Sequence, residues 1–253
     1  MFDARFEVFL CDTDFGKSIN KQIRYRVFCL ERGFLDPARY PTGEEMDDWD
    51  EHSVHFIVRE KQSGLWVAST RLILPDAAPL PVEHINSLSP GFLTGIDRKN
   101  IGEISRFCNI KQNVSTNSQF ANVTRPQFDW IGSIEGKDQF EVTWGMLRAV
   151  AYYGIEHGID HSYMIITRSF ARLLNRMGII LYQSGAMTEY RGIRAPFLVD
   201  FKESIPTASA KSSHVRELWE RRHMAYRPVS LLEPDYIEQM QLQLEECSDC
   251  SMN

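Results

Sequence analysis

The chain has 253 residues, of which 43% are hydrophobic and 11% aromatic, so it is long enough for one large α/β domain with or without an appendage. Its formal net charge of −6 argues against general nucleic-acid binding through the phosphate backbone. There is no run of about 18 apolar residues, and the N-terminus is charged where a signal peptide needs its apolar segment, so we expect a cytoplasmic protein without integral membrane association.

The N-terminal half contains strand-like stretches, in which alternate residues are apolar, and one stretch with helical spacing. Prolines and glycines mark the loop between them, and a short polar turn joins two strands into a hairpin. In chain order we predict a strand over residues 3–11, a helix over 15–31, a loop over 34–50, hairpin strands over 54–59 and 66–74, and a third strand over 100–110.

The C-terminal half begins with a polar, turn-rich stretch over about residues 111–138, which we interpret as a loop insertion. The elements predicted after it are a helix over 140–157, a strand over 163–167, a helix over 170–177, strands over 179–182 and 195–201, and helices over 212–224 and 235–246. This order predicts a mixed α/β sheet flanked by helices. We expect one domain over 1–205 and a helical extension over 206–253.

Four short charged motifs stand between the strand-like stretches of the N-terminal half. They are Arg24 with Phe28, then Asp47 with Trp49 and Asp50, then Arg71, and finally Glu103 with Ser105 and Arg106. In this order and spacing they resemble the motifs of the acyl-homoserine-lactone (autoinducer) synthases, which make a quorum-sensing signal. The chain is longer than typical members, and this profile is more similar to the acyltransferases associated with the PEP-CTERM/exosortase system.

The resemblance implies a GNAT-like acyl-CoA N-acyltransferase fold and a site for joining a thioester-bound acyl group to an amine. It covers residues 1–110 by motif and 139–200 by pattern only. By resemblance, the catalytic residues are Glu103 as general base, Ser105 beside the thioester, and Arg71; the acceptor is held by Arg24, Phe28, Phe34, Asp47, Trp49, Asp50 and Arg106. An alternative is that these charges only tie the loop over residues 34–50 to the core.

A second feature concerns the acyl donor. Arg168, Arg172 and Arg176 are spaced at four, so they share one face of a predicted helix. Such a basic face would dock an acidic acyl carrier protein, although it is also typical of a solvated helix. A glycine-containing phosphate cradle for coenzyme A is absent after Arg106, which favours acyl carrier protein over acyl-CoA as the donor.

The sequence leaves several functions open. We favour an N-acyltransferase with an amino-acid-type acceptor, as in N-acyl amino acid synthases, and no bound cofactor. Phe34 stands where autoinducer synthases have Trp, but a synthase that uses S-adenosylmethionine as co-substrate remains an alternative, as does an inactive acyl-binding module. The histidines show no metal-ligand spacing, so no metal site is expected. Cys11, Cys29 and Cys108 are expected to be buried thiols, and the Cys247/Cys250 pair has no assigned role.

Overall fold

The computed structural model describes residues 2–77, 79–85, 88–89, 95–111, 130–134 and 136–232. Within these ranges nine strands form one sheet, and six α-helices are present. The strands are β1 (Phe6–Leu10), β2 (Ser53–Glu60), β3 (Trp66–Ile73), β4 (Ile101–Asn109), β5 (His161–Ile166), β6 (Ile180–Gln183), β7 (Thr188–Glu189), β8 (Ile193–Asp200) and β9 (Arg227–Pro228). The helices are α1 (Phe2–Arg5), α2 (Asp14–Tyr25), α3 (Lys137–Glu156), α4 (Arg168–Met177), α5 (Phe201–Ser209) and α6 (Ser213–Glu220).

The strand order is β6-β8-β5-β4-β3-β2-β1-β9, with β7 paired to β8, so β3 and β4 lie near the middle of the sheet. All residues of β3 are buried, as expected for a strand that is covered on both faces. The β4–β5 and β1–β9 pairs are parallel, and the other pairs are antiparallel. The predicted mixed α/β sheet flanked by helices is confirmed.

Strands β4 and β5 separate in the middle of the sheet. They pair only from Ile101 to Glu103 on β4 and from His161 to Tyr163 on β5. Beyond Glu103, the register between β3 and β4 shifts, and Arg106 adopts a left-handed φ of 51°. The shift places one extra residue in β4, and an extra residue in one strand of a pair bends that strand. Because the two strands are parallel, their carboxyl ends diverge on the same side of the molecule.

Helix α2 covers one face of the sheet. Its N-cap residue, Thr13, accepts a hydrogen bond from a backbone N–H of the first turn (3.1 Å). Ile19 and Ile23 lie four residues apart and pack in a buried cluster with Trp66 of β3. The helix then continues as a π-helix, Arg26–Glu31, a form that is rare and often found at functional sites.

Helix α3 covers the opposite face, and the described C-terminal residues pack against it. Trp219 of α6 belongs to the same buried cluster as α3, and the Tyr152 hydroxyl donates to its backbone carbonyl (2.5 Å). Strand β9 pairs with β1. Residues 206–232 therefore contribute to the main core, while the division into a domain over 1–205 and an extension over 206–253 stays a prediction.

Some element boundaries differ from those predicted from the sequence. The predicted strand over 3–11 consists of the helical turn α1 and the shorter strand β1. The predicted strand over 195–201 ends at Asp200, where α5 begins. Pro206 lies inside α5, and an internal proline normally argues against a helix. The predicted helix over 212–224 ends at Glu220.

Other predictions fall on residues that the structure does not describe. They are most of the loop over 111–138, all of the helix over 235–246, and the Cys247/Cys250 pair. Within the described ranges, no helix combines the length and the apolar composition that a membrane span requires.

Candidate active site

A cavity of about 510 Å³ lies where β4 and β5 separate, and we call it the first cavity. Its walls include residues 104–107 of β4, residues 164–167 of β5 and the following turn, and the chain between β7 and β8. Most of the residues predicted to form the site line it: Phe28, Phe34, Asp47, Trp49, Arg71, Glu103, Ser105 and Arg106. The two other predicted acceptor residues, Arg24 and Asp50, do not line the first cavity. Arg24 pairs with Asp50, which pairs in turn with the lining residue Arg71.

Arg71 lies at the centre of an ion-pair network beneath the first cavity. Its Nη1 atom is 2.5 Å from Asp47 Oδ1 and 2.6 Å from Asp50 Oδ1. Its Nη2 atom donates to Asp47 Oδ2 (2.8 Å), and its Nε atom donates to Ser105 Oγ (2.8 Å). Since Arg71 is buried, these four contacts satisfy a guanidinium that water does not reach.

Arg24 and Arg106 complete the network through a residue that was not predicted, Glu45. Arg24 donates to Glu45 Oε2 (2.6 Å) and Asp50 Oδ1 (2.5 Å). Arg106 Nη2 donates to Glu45 Oε1 and Asp47 Oδ2, both at 2.8 Å. Three arginines thus face three carboxylates. We call Arg24, Glu45, Asp47, Asp50, Arg71 and Arg106 the charge network.

Local backbone structure places the carboxylates of the charge network. Asp47 caps the short 3₁₀ helix Asp48–His52 by accepting a hydrogen bond from the Trp49 backbone N–H (3.2 Å). The Asp50 side chain reaches back and accepts from the Asp47 backbone N–H (2.8 Å), which closes a capping box. Each carboxylate therefore bonds both to the turn and to an arginine, and these contacts tie the loop over residues 34–50 to the sheet.

The arginines of the charge network keep Glu45 and Asp50 ionised. Burial alone would raise the pKa of Glu45, but Arg24 and Arg106 lower it to about 2. Burial also opposes ionisation of Asp50, yet Arg24 and Arg71 hold its pKa well below the ordinary value. Glu45 and Asp50 therefore stay charged, and each arginine of the network pairs with carboxylates of the protein rather than with a substrate.

Glu103 lines the first cavity but lies outside the charge network. Its Oε2 atom accepts a hydrogen bond from the Val82 backbone N–H (2.8 Å). Burial raises the pKa of Glu103 to about 8, and neither this hydrogen bond nor the nearby Arg71 offsets the effect. A buried carboxyl that titrates near neutral pH and borders a cavity has the properties of a general acid or base.

Ser105 lies beside the same arginine. Its hydroxyl accepts from Arg71, and within the described residues no acceptor takes its hydrogen. A hydroxyl donates one hydrogen while it accepts others. Ser105 is thus able to donate to a group bound in the first cavity.

Aromatic side chains form the rim of the first cavity. The Trp49 indole N–H donates to the Pro79 carbonyl (3.2 Å), which fixes the ring of this loop residue against the segment that follows β3. Phe28 lies beneath the Arg106 guanidinium, with 5.7 Å between Cζ and the ring centroid. Phe34 is 37% exposed, so its ring is open to solvent in part.

No group of histidine, cysteine and acidic side chains in the described ranges is arranged to hold a metal ion. His55, which the sequence places beside Asp47 and Asp50, is buried under the charge network. Burial and the charge of Arg24 lower the pKa of His55 to about 4, so its ring is neutral at pH 7. Cys29 and Cys108 are buried thiols, and burial raises the pKa of Cys108 to about 11.

Comparisons with known proteins agree with this fold. Residues 23–118 match the family model described as an acetyltransferase (GNAT) domain. The chain has the GNAT acyltransferase fold. No curated protein sequence matches it.

Solved structures with this fold include several acyl synthases. The chain is similar to the AHL synthase LasI (19% identity, TM-score 0.55, covering 80% of this chain and 94% of that chain). It is also similar to the CoA-dependent acyl-homoserine lactone synthase BjaI (15% identity, TM-score 0.52, 94% and 99% covered). A third is FeeM, an N-acyl amino acid synthase from uncultured soil microbes (14% identity, TM-score 0.52, 82% and 97% covered). At these identities the likeness shows a shared fold.

A second cavity of about 430 Å³ adjoins the first in this GNAT fold. The two share Phe28, Phe34, Phe107, Phe170 and Arg194 as lining residues. Phe140 and Leu173, from α3 and α4, extend the apolar lining of the second cavity. An apolar space continuous with a polar one is the shape that an acyl chain and its reactive end require.

Helix α4 presents the predicted basic face to solvent. Thr167 caps it by accepting from the Phe170 backbone N–H (3.2 Å), and Gly178 ends it with a left-handed φ of 88°. Arg168, Arg172 and Arg176 are all exposed. The opposite face of α4 packs in the core, and its residues Phe170 and Leu173 line the second cavity. The basic face therefore lies on an element that borders the cavities.

Sequence reasoning missed two parts of the site. Glu45 belongs to the charge network, but its role was not evident from the motifs, because the predicted site already matched its three arginines with three carboxylates, Asp47, Asp50 and Glu103. Arg191 and Arg194 also line the first cavity. No local motif marks them, because β8 reaches the site only through its pairing with β5.

Proposed function

We propose that the chain transfers a fatty acyl group from a carrier-protein thioester to the amino group of a small amino-acid-type acceptor. The observation that carries this proposal is Glu103, a buried carboxyl with a pKa of about 8 that borders a cavity between two diverging strands. Amide formation from a thioester needs an unprotonated amine, and a group that titrates near neutral pH is suited to remove the proton. AHL synthases and an N-acyl amino acid synthase use this fold for related acyl transfers.

In the proposed reaction, ionised Glu103 accepts a proton from the acceptor's ammonium group, directly or through water. The free amine attacks the thioester carbonyl, the C–N bond forms and the C–S bond breaks. The leaving thiolate takes up a proton, so the products are an amide and the free thiol of the carrier. Ser105 donates a hydrogen bond to the carbonyl oxygen as negative charge develops there. The charge network holds the acceptor side of the cavity in place.

The test is mass spectrometry of organic extracts from cells that overproduce the protein, compared with cells that overproduce Glu103→Gln. We expect a new N-acyl amino acid in the wild-type extract that is strongly reduced in the variant extract. The same species should form in vitro when purified protein is given acyl carrier protein loaded with a fatty acyl group and a panel of amino acids. Binding of the acyl carrier protein without any product from any acceptor would contradict the proposal and favour an acyl-binding module.

A second candidate function is synthesis of an acyl-homoserine lactone from S-adenosylmethionine. The observation in its favour is that residues of the autoinducer-synthase motifs, Arg24, Asp50 and Arg71, are in contact. The extracts separate the two functions, because a lactone product has a different mass from an N-acyl amino acid. The first proposal includes two further points. The protein is linked to the PEP-CTERM/exosortase system, and it acts in the cytoplasm together with the carrier protein.

The donor is tested through the basic face of α4. Replacing Arg168, Arg172 and Arg176 together with alanine is expected to raise KM for the acyl carrier protein substrate by about 10-fold or more. The rate with an acyl-pantetheine donor, which has no protein surface, should be unchanged. Arg216→Ala is the matched control, since Arg216 is exposed on α6 and lines neither cavity. Equal losses with both donors would refute the docking role.

A further inference from the structure

Three arginines outside the charge network lie where the two cavities meet. Arg194 lines both cavities, Arg191 lines the first, and Arg32 lines the second. We call these residues the arginine cluster. No ion pair with a described residue involves any of them, in contrast to Arg24, Arg71 and Arg106. The cluster therefore brings positive charge to the site that no carboxylate in the described ranges pairs with.

Arg194 is the most constrained member of the cluster. Its Nε atom is buried and has no hydrogen-bond partner within the described part of the chain. Its guanidinium lies over the ring of Phe34, with 5.9 Å between Cζ and the ring centroid. Burial and the neighbouring charges of Arg191 and Arg32 lower the pKa of Arg194 from its ordinary value. A half-buried guanidinium among like charges is costly unless an anion binds to it.

The turn before β8 brings Arg191 to the cavity in a constrained conformation. Arg191 has a left-handed φ of 52°, and it shares this rare backbone conformation for a non-glycine residue with Arg106 among the described residues. Both arginines line the first cavity. Gly192 follows, and its N–H donates to Glu189 Oε1 (3.0 Å), which closes the turn. Unusual backbone conformations concentrated at one cavity are typical of binding sites.

The position of the cluster indicates which anion it binds. Glu103, which would receive the acceptor's proton, and Arg191 and Arg194 all line the same cavity. The arginines of the charge network already donate to carboxylates of the protein, so they have little to offer a carboxylate of the substrate. We propose that Arg191 and Arg194, with Arg32 beside them, bind the carboxylate of the acceptor while its amino group faces Glu103. This inference rests on the proposed function and deepens it: the acceptor is an α-amino acid with a free carboxylate.

The first test measures binding and needs no turnover. Isothermal titration calorimetry compares a series of N-acylglycines of increasing chain length with the matched N-acylglycinamides, which have the same shape without the charge. We expect wild-type protein to bind the acid about 10- to 100-fold more tightly than the amide, as charged hydrogen bonds in a partly buried site allow. Arg194→Gln and Arg191→Gln should each lose most of this preference, whereas the exposed Arg216→Gln should keep it. Circular dichroism and melting temperatures establish that the variants are folded.

The outcomes separate this inference from the proposed function. Equal binding of acids and amides by wild-type protein, or a preference that survives both substitutions, would overturn the carboxylate site and leave acyl transfer untouched. Failure of every acyl compound to bind would count against both. If Arg194→Gln instead weakens binding of 4′-phosphopantetheine and spares the N-acylglycines, the anion is the phosphate of the donor arm, and the carboxylate assignment is wrong.

Discussion

Replacing Glu103 with glutamine is expected to lower kcat for acyl transfer by about 10²- to 10⁴-fold, the usual contribution of a positioned general base. The amide oxygen of glutamine can still accept the hydrogen bond from the Val82 backbone N–H, which is 2.8 Å from Glu103 Oε2. The substitution therefore removes the titrating group while keeping size and polarity. KM for the acyl donor should change little, because binding of the donor does not require a proton to be removed from the acceptor.

The pH profile distinguishes a base from a structural residue. Since the pKa of Glu103 is about 8, only a small fraction is ionised at pH 7, and kcat/KM of the wild type should rise with pH and level off above about pH 8. In Glu103→Gln the residual activity should lack this rise. Glu220→Gln is the matched control, since Glu220 is exposed on α6 and does not line the first cavity. A wild-type rate in Glu103→Gln would rule out the base role.

The pH dependence of stability provides an independent test, because stability should fall as pH rises whereas kcat/KM should increase. Burial raises the pKa of Glu103 from 4.5 to about 8, so between these pH values the folded protein holds a proton that the unfolded chain has released. The wild type is expected to lose stability as pH rises through this window, and the loss ends above about pH 8. Glu103→Gln has no such group, so its melting temperature relative to wild type should increase from pH 5 to pH 8.

The charged motifs were the most predictable part of the site. Arginines and aspartates between strand-like stretches must pair when those stretches fold into a core, because unpaired buried charges are costly. The contacts of Arg71 with Asp47 and Asp50 follow that reasoning. The fold class was predictable for a similar reason: the alternation of apolar residues fixes strands, and their order with the helices favours one mixed sheet.

Features that depend on tertiary structure were not predictable from local patterns. Helix α5 was missed because Pro206 argues against a helix, although Asp200 and Glu203 form a capping signal that the structure uses (2.8 Å from the Glu203 N–H to Asp200 Oδ1). From the sequence, Glu45 is indistinguishable from an exposed loop residue. In the structure, Arg24 and Arg106 enclose it. Likewise, the separation of β4 from β5 follows from a bulge that no sequence motif announces.

Replacing Glu45 with glutamine is expected to destabilise the protein by about 3–5 kcal/mol, the range for removing one partner of a buried ion pair. The Glu45 side chain is fully buried and contacts Arg24 (2.6 Å) and Arg106 (2.8 Å). Without its charge, three arginines would share two carboxylates in a place where water cannot compensate. Urea unfolding at pH 7 measures the change. Glu44→Gln is the matched control, because its partly buried side chain accepts a hydrogen bond from Ser18 outside the charge network.

Acid titration tests the same residue through the sign of its pKa shift. Burial opposes ionisation of Glu45, but Arg24 and Arg106 lower its pKa from 4.5 to about 2, so its stabilising effect is complete above about pH 4.5 and is lost as pH falls towards 2. The pKa of Asp50 is also lowered, so its stabilising effect is likewise lost at low pH. Wild-type stability should therefore fall in this window, and Glu45→Gln should show a shallower fall.

A loss below about 1 kcal/mol in Glu45→Gln at pH 7, the range of exposed ion pairs, would show that the loop over residues 34–50 does not depend on this charge. Loss of acyl transfer in a variant that remains folded would instead show that Glu45 holds the acceptor side of the first cavity in place through Arg24 and Arg106.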